Sequence, residues 1–189
     1  ERLGHEAVCI NYIRTDELPE NQTKPLLSVS RWNKNTATRL LYSVTQKTKE
    51  STSGGIFIPL AKSTLEKGGV VFGCAYDENL VARHIAVEKE ADLHKLQGSK
   101  YVQSDLSGIY SRVKSELKDG RNVLFSGTGC QVAGLRSFLG KDFDNLITVD
   151  IVCHGVPSPK LFEKYIGYLG SKLGEPVKSY NFRSKKRHG

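Results

Sequence analysis

The chain has 189 residues, 28 Lys and Arg against 20 Asp and Glu for a formal charge of +8, and 38% hydrophobic residues. That describes one ordinary soluble domain. No apolar run approaches the roughly 20 residues that span a bilayer, and Glu1 to His5 lack the apolar core of a secretion signal, so neither a membrane span nor a signal is expected. The absence of Met reads as a processed chain or a fragment of a longer product. Four widely spaced cysteines, Cys9, Cys74, Cys130 and Cys153, are too few for the framework of a small disulfide domain, which points to a reducing, cytoplasmic compartment. Basic charge gathers at Arg183, Lys185, Lys186 and Arg187, as a solvated face or for an anionic partner. No zinc-finger spacing or aromatic-and-basic strand pattern accompanies it, so no nucleic-acid partner is expected.

Residues 1–23 read as an irregular segment, with a short strand following at Leu26 to Trp32 between polar, Pro- and Thr-containing linkers. A helix is predicted from about Gly55 to Lys67, stopped by Gly68-Gly69. Val70 to Tyr76 and Leu80 to Val87 read as strands of a hairpin across Asp77-Glu78-Asn79. Helices are predicted at Lys89 to Leu96 and at Leu106 to Lys118. Asn122 to Phe125 reads as a strand entering a glycine loop, Ser126 to Cys130, before an amphipathic helix that ends at Gly140. Leu146 to Val152 is a further β-branched strand, Leu161 to Leu169 a helix and Val177 to Phe182 a last strand. The alternation predicts an α/β domain: a mixed or largely parallel sheet flanked by helices.

Three loops gather the unusual residues. Ser51-Thr52-Ser53-Gly54-Gly55 precedes a helix, where backbone N–H groups either receive a phosphate or simply cap the helix. Ser126-Gly127-Thr128-Gly129-Cys130-Gln131 puts a thiol at a helix N-terminus, where the dipole favours a thiolate and suits a nucleophile or a metal ligand. Cys153-His154-Gly155 ends the next strand. If the two strands are neighbours, Cys130 and Cys153 share an edge, with His154 as a possible third ligand of the four that a zinc or iron–sulfur site needs; the alternative is two buried, unpaired cysteines. A dyad of Cys130 with His154 would instead make a thiol-dependent hydrolase. Cys9 and Cys74 receive no role, and His5, His84, His94 and His188 read as surface histidines.

Taken as an ordered set, Ser53-Gly54-Gly55-Ile56-Phe57, Leu65 to Val71, Gly98-Ser99-Lys100-Tyr101-Val102-Gln103-Ser104, Phe125 to Gln131 and Cys153-His154-Gly155-Val156-Pro157-Ser158-Pro159 resemble the coenzyme F420 hydrogenase/dehydrogenase beta-subunit family. The likeness runs from about Lys24 to Arg183 within a domain of residues 24–189. It implies an oxidoreductase that holds FAD beside a 4Fe-4S cluster and exchanges electrons with the deazaflavin coenzyme F420 or a ferredoxin-type partner, with other redox subunits at hand. By the same resemblance, Ser53, Gly54 and Gly55 meet the FAD phosphates, and Lys100, Tyr101, Gln103 and Ser104 line the flavin. Thr128, Gly129, Gln131, His154 and Gly155 close the pocket. Lys100 is then the catalytic cation that favours reduced, anionic flavin, and Cys130 and Cys153 are metal ligands. The remaining ligands are expected from a Cys-x-x-Cys beyond Gly189, so the chain reads as truncated at its C-terminus and inactive by itself. The family's Gly-Thr-Pro-Cys is here Gly-Thr-Gly-Cys, with Gly129 in the proline position. The competing reading is a non-catalytic docking or scaffold domain of an electron-transfer complex.

Overall fold

The computed structural model describes residues 57–183. The predicted strand at Leu26 to Trp32, the Ser53-Gly54-Gly55 loop, Cys9, His5 and His188 lie outside the described residues. Helix α1 (Phe57–Glu66) leads into β1 (Val70–Tyr76) and β2 (Ala82–Val87); a 3-10 turn (Glu90–Leu96) and α2 (Ile109–Lys118) follow, then β3 (Val123–Thr128), α3 (Gly129–Leu139), β4 (Leu146–Ile151) and α4 (Pro159–Leu173). The sheet order is β2-β1-β3-β4. The hairpin partner β2 is antiparallel and the other three strands are parallel. This is the expected α/β architecture, a mixed, largely parallel sheet with helices on it.

Continuous apolar runs make β1 and β3 the buried centre, as strands covered on both faces require. Val71, Ala75, Leu124 and Val149 pack beneath Leu60, Ala61, Leu93 and Leu96, from α1 and the 3-10 turn. On the opposite face Val70, Phe72, Val123 and Phe125 meet Val113 and Leu117 of α2 and Val132, Leu135 and Leu139 of α3. A third cluster, Leu80, Ala82, Val102 and Phe162, ties α4 to the hairpin.

Three expectations need correction. Lys89 to Leu96 winds as a 3-10 turn rather than an α-helix. The glycine loop after β3 does not exist as a loop. Ser126, Gly127 and Thr128 continue the parallel ladder against Val149, Asp150 and Ile151, and α3 begins at Gly129. Val177 to Phe182 is not a strand. Its side chains find an aromatic partner instead of a sheet edge: Phe162 lies 5.3 Å from Tyr180 and 5.5 Å from Phe182 between ring centroids.

Candidate functional site

The parallel strands deliver their carboxyl ends to one side of the sheet, where open α/β sheets bind ligands. In the β3–β4 register Thr128 faces Ile151. Cys130 and Cys153 therefore each lie two residues past the same rung. Both thiols are free and exposed, which overturns the alternative of two buried cysteines. Sequence adjacency of the two strands is what made the pairing readable.

The Cys130 turn is tightly held. Gln131 returns its side chain to the helix start, and its Oε1 accepts the Thr128 N–H at 3.0 Å in a capping box. Gly127 makes room for that return, since a Cβ there would lie 3.0 Å from Gln131 Oε1 and from the Phe125 ring. Tyr110 of α2 donates its hydroxyl to the Gln131 carbonyl at 2.8 Å. Thr128 Oγ1 lies 3.2 Å from Cys130 Sγ. Asp150 borders Gly129: a Cβ at Gly129 would sit 3.2 Å from its Oδ2. Burial pushes the Asp150 carboxyl above the ordinary carboxylate range.

The segment carrying Lys100 to Ser104 runs beside this turn. Half-buried Lys100 donates from Nζ to the carbonyls of Gln97 at 2.8 Å and Lys95 at 3.1 Å. An ammonium has three protons, and among the described residues two of them go to backbone acceptors. Burial pushes the Lys100 ammonium below its usual value, opposed by the nearby Cys74 thiol. Burial likewise raises Cys74, opposed by Lys100 and Ser104. Tyr101 is 42% exposed and meets Phe182 edge-on at 5.3 Å. Gln103 is exposed and its N–H donates to the Pro157 carbonyl at 3.3 Å. Ser104 Oγ accepts from Gln131 Nε2 at 2.8 Å.

His84 was expected at the surface, and the structure reverses this. It is 5% exposed, stacked on Phe125 at 5.3 Å, with Nε2 2.9 Å from the Ser126 carbonyl and Nδ1 2.9 Å from Ser104 Oγ. Burial holds its imidazole below the ordinary value. Strand alternation was the signal that could have found it. Ala82, His84 and Ala86 share one face of β2, and Ala86 packs into the core formed with α2 and α3. His94, by contrast, is exposed.

His154 and Gly155 lie in a stretch, residues 151–160, in which every residue is exposed. Gly155 takes φ 108°, a backbone state suited to glycine, and donates its N–H to Cys153 Sγ at 3.3 Å. Among the described residues the Cys130 thiol has the Thr128 hydroxyl as its hydrogen-bond neighbour, and no bond joins it to His154 as a dyad would require. Two exposed thiols on adjacent strand ends have the donor chemistry of an iron–sulfur centre and would supply two of its four ligands. Among the described residues, no group of three or more His, Cys, Asp or Glu side chains converges to hold a metal ion.

Residues 120–188 match the family described as the C terminus of the coenzyme F420 hydrogenase/dehydrogenase beta subunit. This segment is similar to the C-terminal part of that beta subunit. It spans β3, α3, β4 and α4, and so includes both cysteine turns, whereas Lys100 to Ser104 precede it. Among solved structures, a chain of the F420-reducing NiFe hydrogenase complex of Methanosarcina barkeri, studied by xenon derivatisation, is similar at 20% identity and a TM-score of 0.49 over 62% of this chain. The match spans 44% of that solved chain. No curated protein matches the sequence. Among the described residues, no helix is long and apolar enough to cross a membrane.

Proposed function

We propose that the protein is a flavin- and iron–sulfur-dependent electron-transfer oxidoreductase of the beta-subunit kind, working in the cytoplasm with other redox subunits. The observation that carries this reading is the β3–β4 register, which pairs the two strands that lead into Cys130 and Cys153 within the segment that matches the family. When bound, a 4Fe-4S cluster supplies one-electron transfer and FAD couples it to hydride chemistry. Cys130 and Cys153 are two cluster ligands in this reading, and the others come from sequence outside these 189 residues.

The chain's own residues hold and orient. Ser53, Gly54 and Gly55 would receive the FAD phosphates on backbone N–H groups. Lys100, anchored on two carbonyls, would present its charge to the flavin, with exposed Tyr101 and Gln103 along the wall. Ser104 and Gln131 are bonded to each other. Their contribution is to shape the turn of Thr128 and Gly129, which would close the flavin pocket together with His154 and Gly155 in this reading. The redox partner in this reading is coenzyme F420 or a ferredoxin-type protein.

The test is electron transfer from a ferredoxin-type donor to F420 by the full-length protein, with and without Cys130→Ala. Transfer that depends on the thiol supports the proposal. A docking domain, the reading favoured by exposed Ile151, Val152, Val156 and Leu161 along the β4–α4 connection, would bind the other subunits and transfer nothing.

A further inference from the structure

Four hydrogen bonds link residues from three separate parts of the sequence, and chemistry fixes the direction of each. The Thr128 N–H can only donate, so Gln131 turns its Oε1 toward it and its Nε2 toward Ser104 Oγ. At the other end the Ser126 carbonyl can only accept, so His84 donates from Nε2. A neutral imidazole protonated on Nε2 has an accepting Nδ1, which receives the Ser104 hydroxyl proton at 2.9 Å. The chain thus runs Thr128 to Gln131 to Ser104 to His84 to Ser126, beginning and ending on the main chain on either side of Gly127.

The sheet explains why β2 can reach β3 across β1. Their intermediary β1 pairs with β3 only over Val70–Phe72 and Val123–Phe125. Past Phe125 the β1 side of β3 is free of ladder bonds, and the imidazole takes up the Ser126 carbonyl there while resting on the Phe125 ring. Ser104 is fastened beside it, because Asp105 accepts the His84 N–H and donates to the Ala82 carbonyl, each at 2.9 Å.

We propose that His84 is a positioning residue, which acts through Ser104 and Gln131 to fix the Thr128–Gln131 turn and thereby the direction in which Cys130 is presented. The use made of Cys130 rests on the electron-transfer reading; the hydrogen-bond chain does not, and it is testable without iron or flavin.

The test is nitrogen-15 NMR of the 189-residue chain with amide exchange at Thr128 and iodoacetamide labelling of Cys130. The expected result is His84 as the Nε2–H tautomer with an accepting Nδ1. Ser104→Ala should speed Thr128 exchange about tenfold, the scale of one lost hydrogen bond, and change the Cys130 labelling rate. Ser104→Thr, which keeps the hydroxyl, should restore both. His84→Gln combined with Ser104→Ala should add little to Ser104→Ala alone, as for members of one network. An Nδ1–H tautomer in the unsubstituted chain overturns the proposal whether or not any variant folds. Unchanged Thr128 exchange in Ser104→Ala, or fully additive effects in the double variant, also overturns it.

Discussion

The two cysteine-bearing strand ends are neighbours in the sheet and are built differently. Past β3, the first turn of α3 is capped by Gln131, held by Tyr110 from α2 and tied through Ser104 to a buried histidine two strands away. Past β4, residues 151–160 are all exposed, with Val152 at 74%. There Cys153 accepts a hydrogen bond from Gly155, two residues on, and Pro157 accepts one from Gln103. One thiol is thus presented by a preformed frame. The other lies on a segment that is exposed throughout. A site residue held by such a supporting shell is presented in a more defined direction than one on an exposed loop.

Removing the floor of the frame should have the largest effect. Phe125 is fully buried and carries both the His84 ring and an edge contact from Tyr110 at 6.1 Å. Phe125→Ala should cost about 3–5 kcal/mol, read as a fall in the urea midpoint, with Cys130 labelling altered in whatever remains folded.

Acid sharpens the same contrast at lower cost. The folded His84 is held below the ordinary imidazole value by burial, opposed by its bond to the Ser126 carbonyl. Its neighbours are the Cys74 thiol across the β1–β2 pair and the Lys100 ammonium beside that thiol. Because the unfolded chain takes up the proton first, the His84 contribution is fully present above the unfolded value of about 6.5. It declines as the pH falls through that value toward the lower folded one. His84→Gln should remove that part of the decline in a stability-versus-pH series.

The smallest effect on the fold belongs to the open side. Cys153→Ser changes an exposed side chain and should alter stability by no more than about 0.5 kcal/mol, measured by urea unfolding. In the proposed function the same substitution removes a cluster ligand.

Much of this frame was legible before the fold. The apolar run Val70 to Tyr76 gave its strand directly, and the shared edge of Cys130 and Cys153 was conditional on their two strands being neighbours, as β3 and β4 are. Other parts depended on tertiary context. Glycines in Ser126 to Gly129 read as a loop because local propensity does not see β4, whose ladder keeps Ser126 to Thr128 extended. Val177 to Phe182 read as a strand, although aromatic packing on Phe162 takes those side chains. His84 was misplaced because a histidine in a short strand declares its face only through its neighbours. The chain of bonds from Thr128 to His84 joins positions 84, 104 and 131, separations that no local motif spans.

The most direct measurement of the central claim is an anaerobic visible spectrum of the full-length protein reconstituted with FAD, iron and sulfide, beside Cys130→Ala and Cys153→Ser. The account predicts flavin bands together with a broad absorbance that bleaches on reduction, the latter lost in both variants while the flavin bands of Cys153→Ser persist. A protein that stays colourless, or one whose bleachable absorbance survives both substitutions, would contradict it.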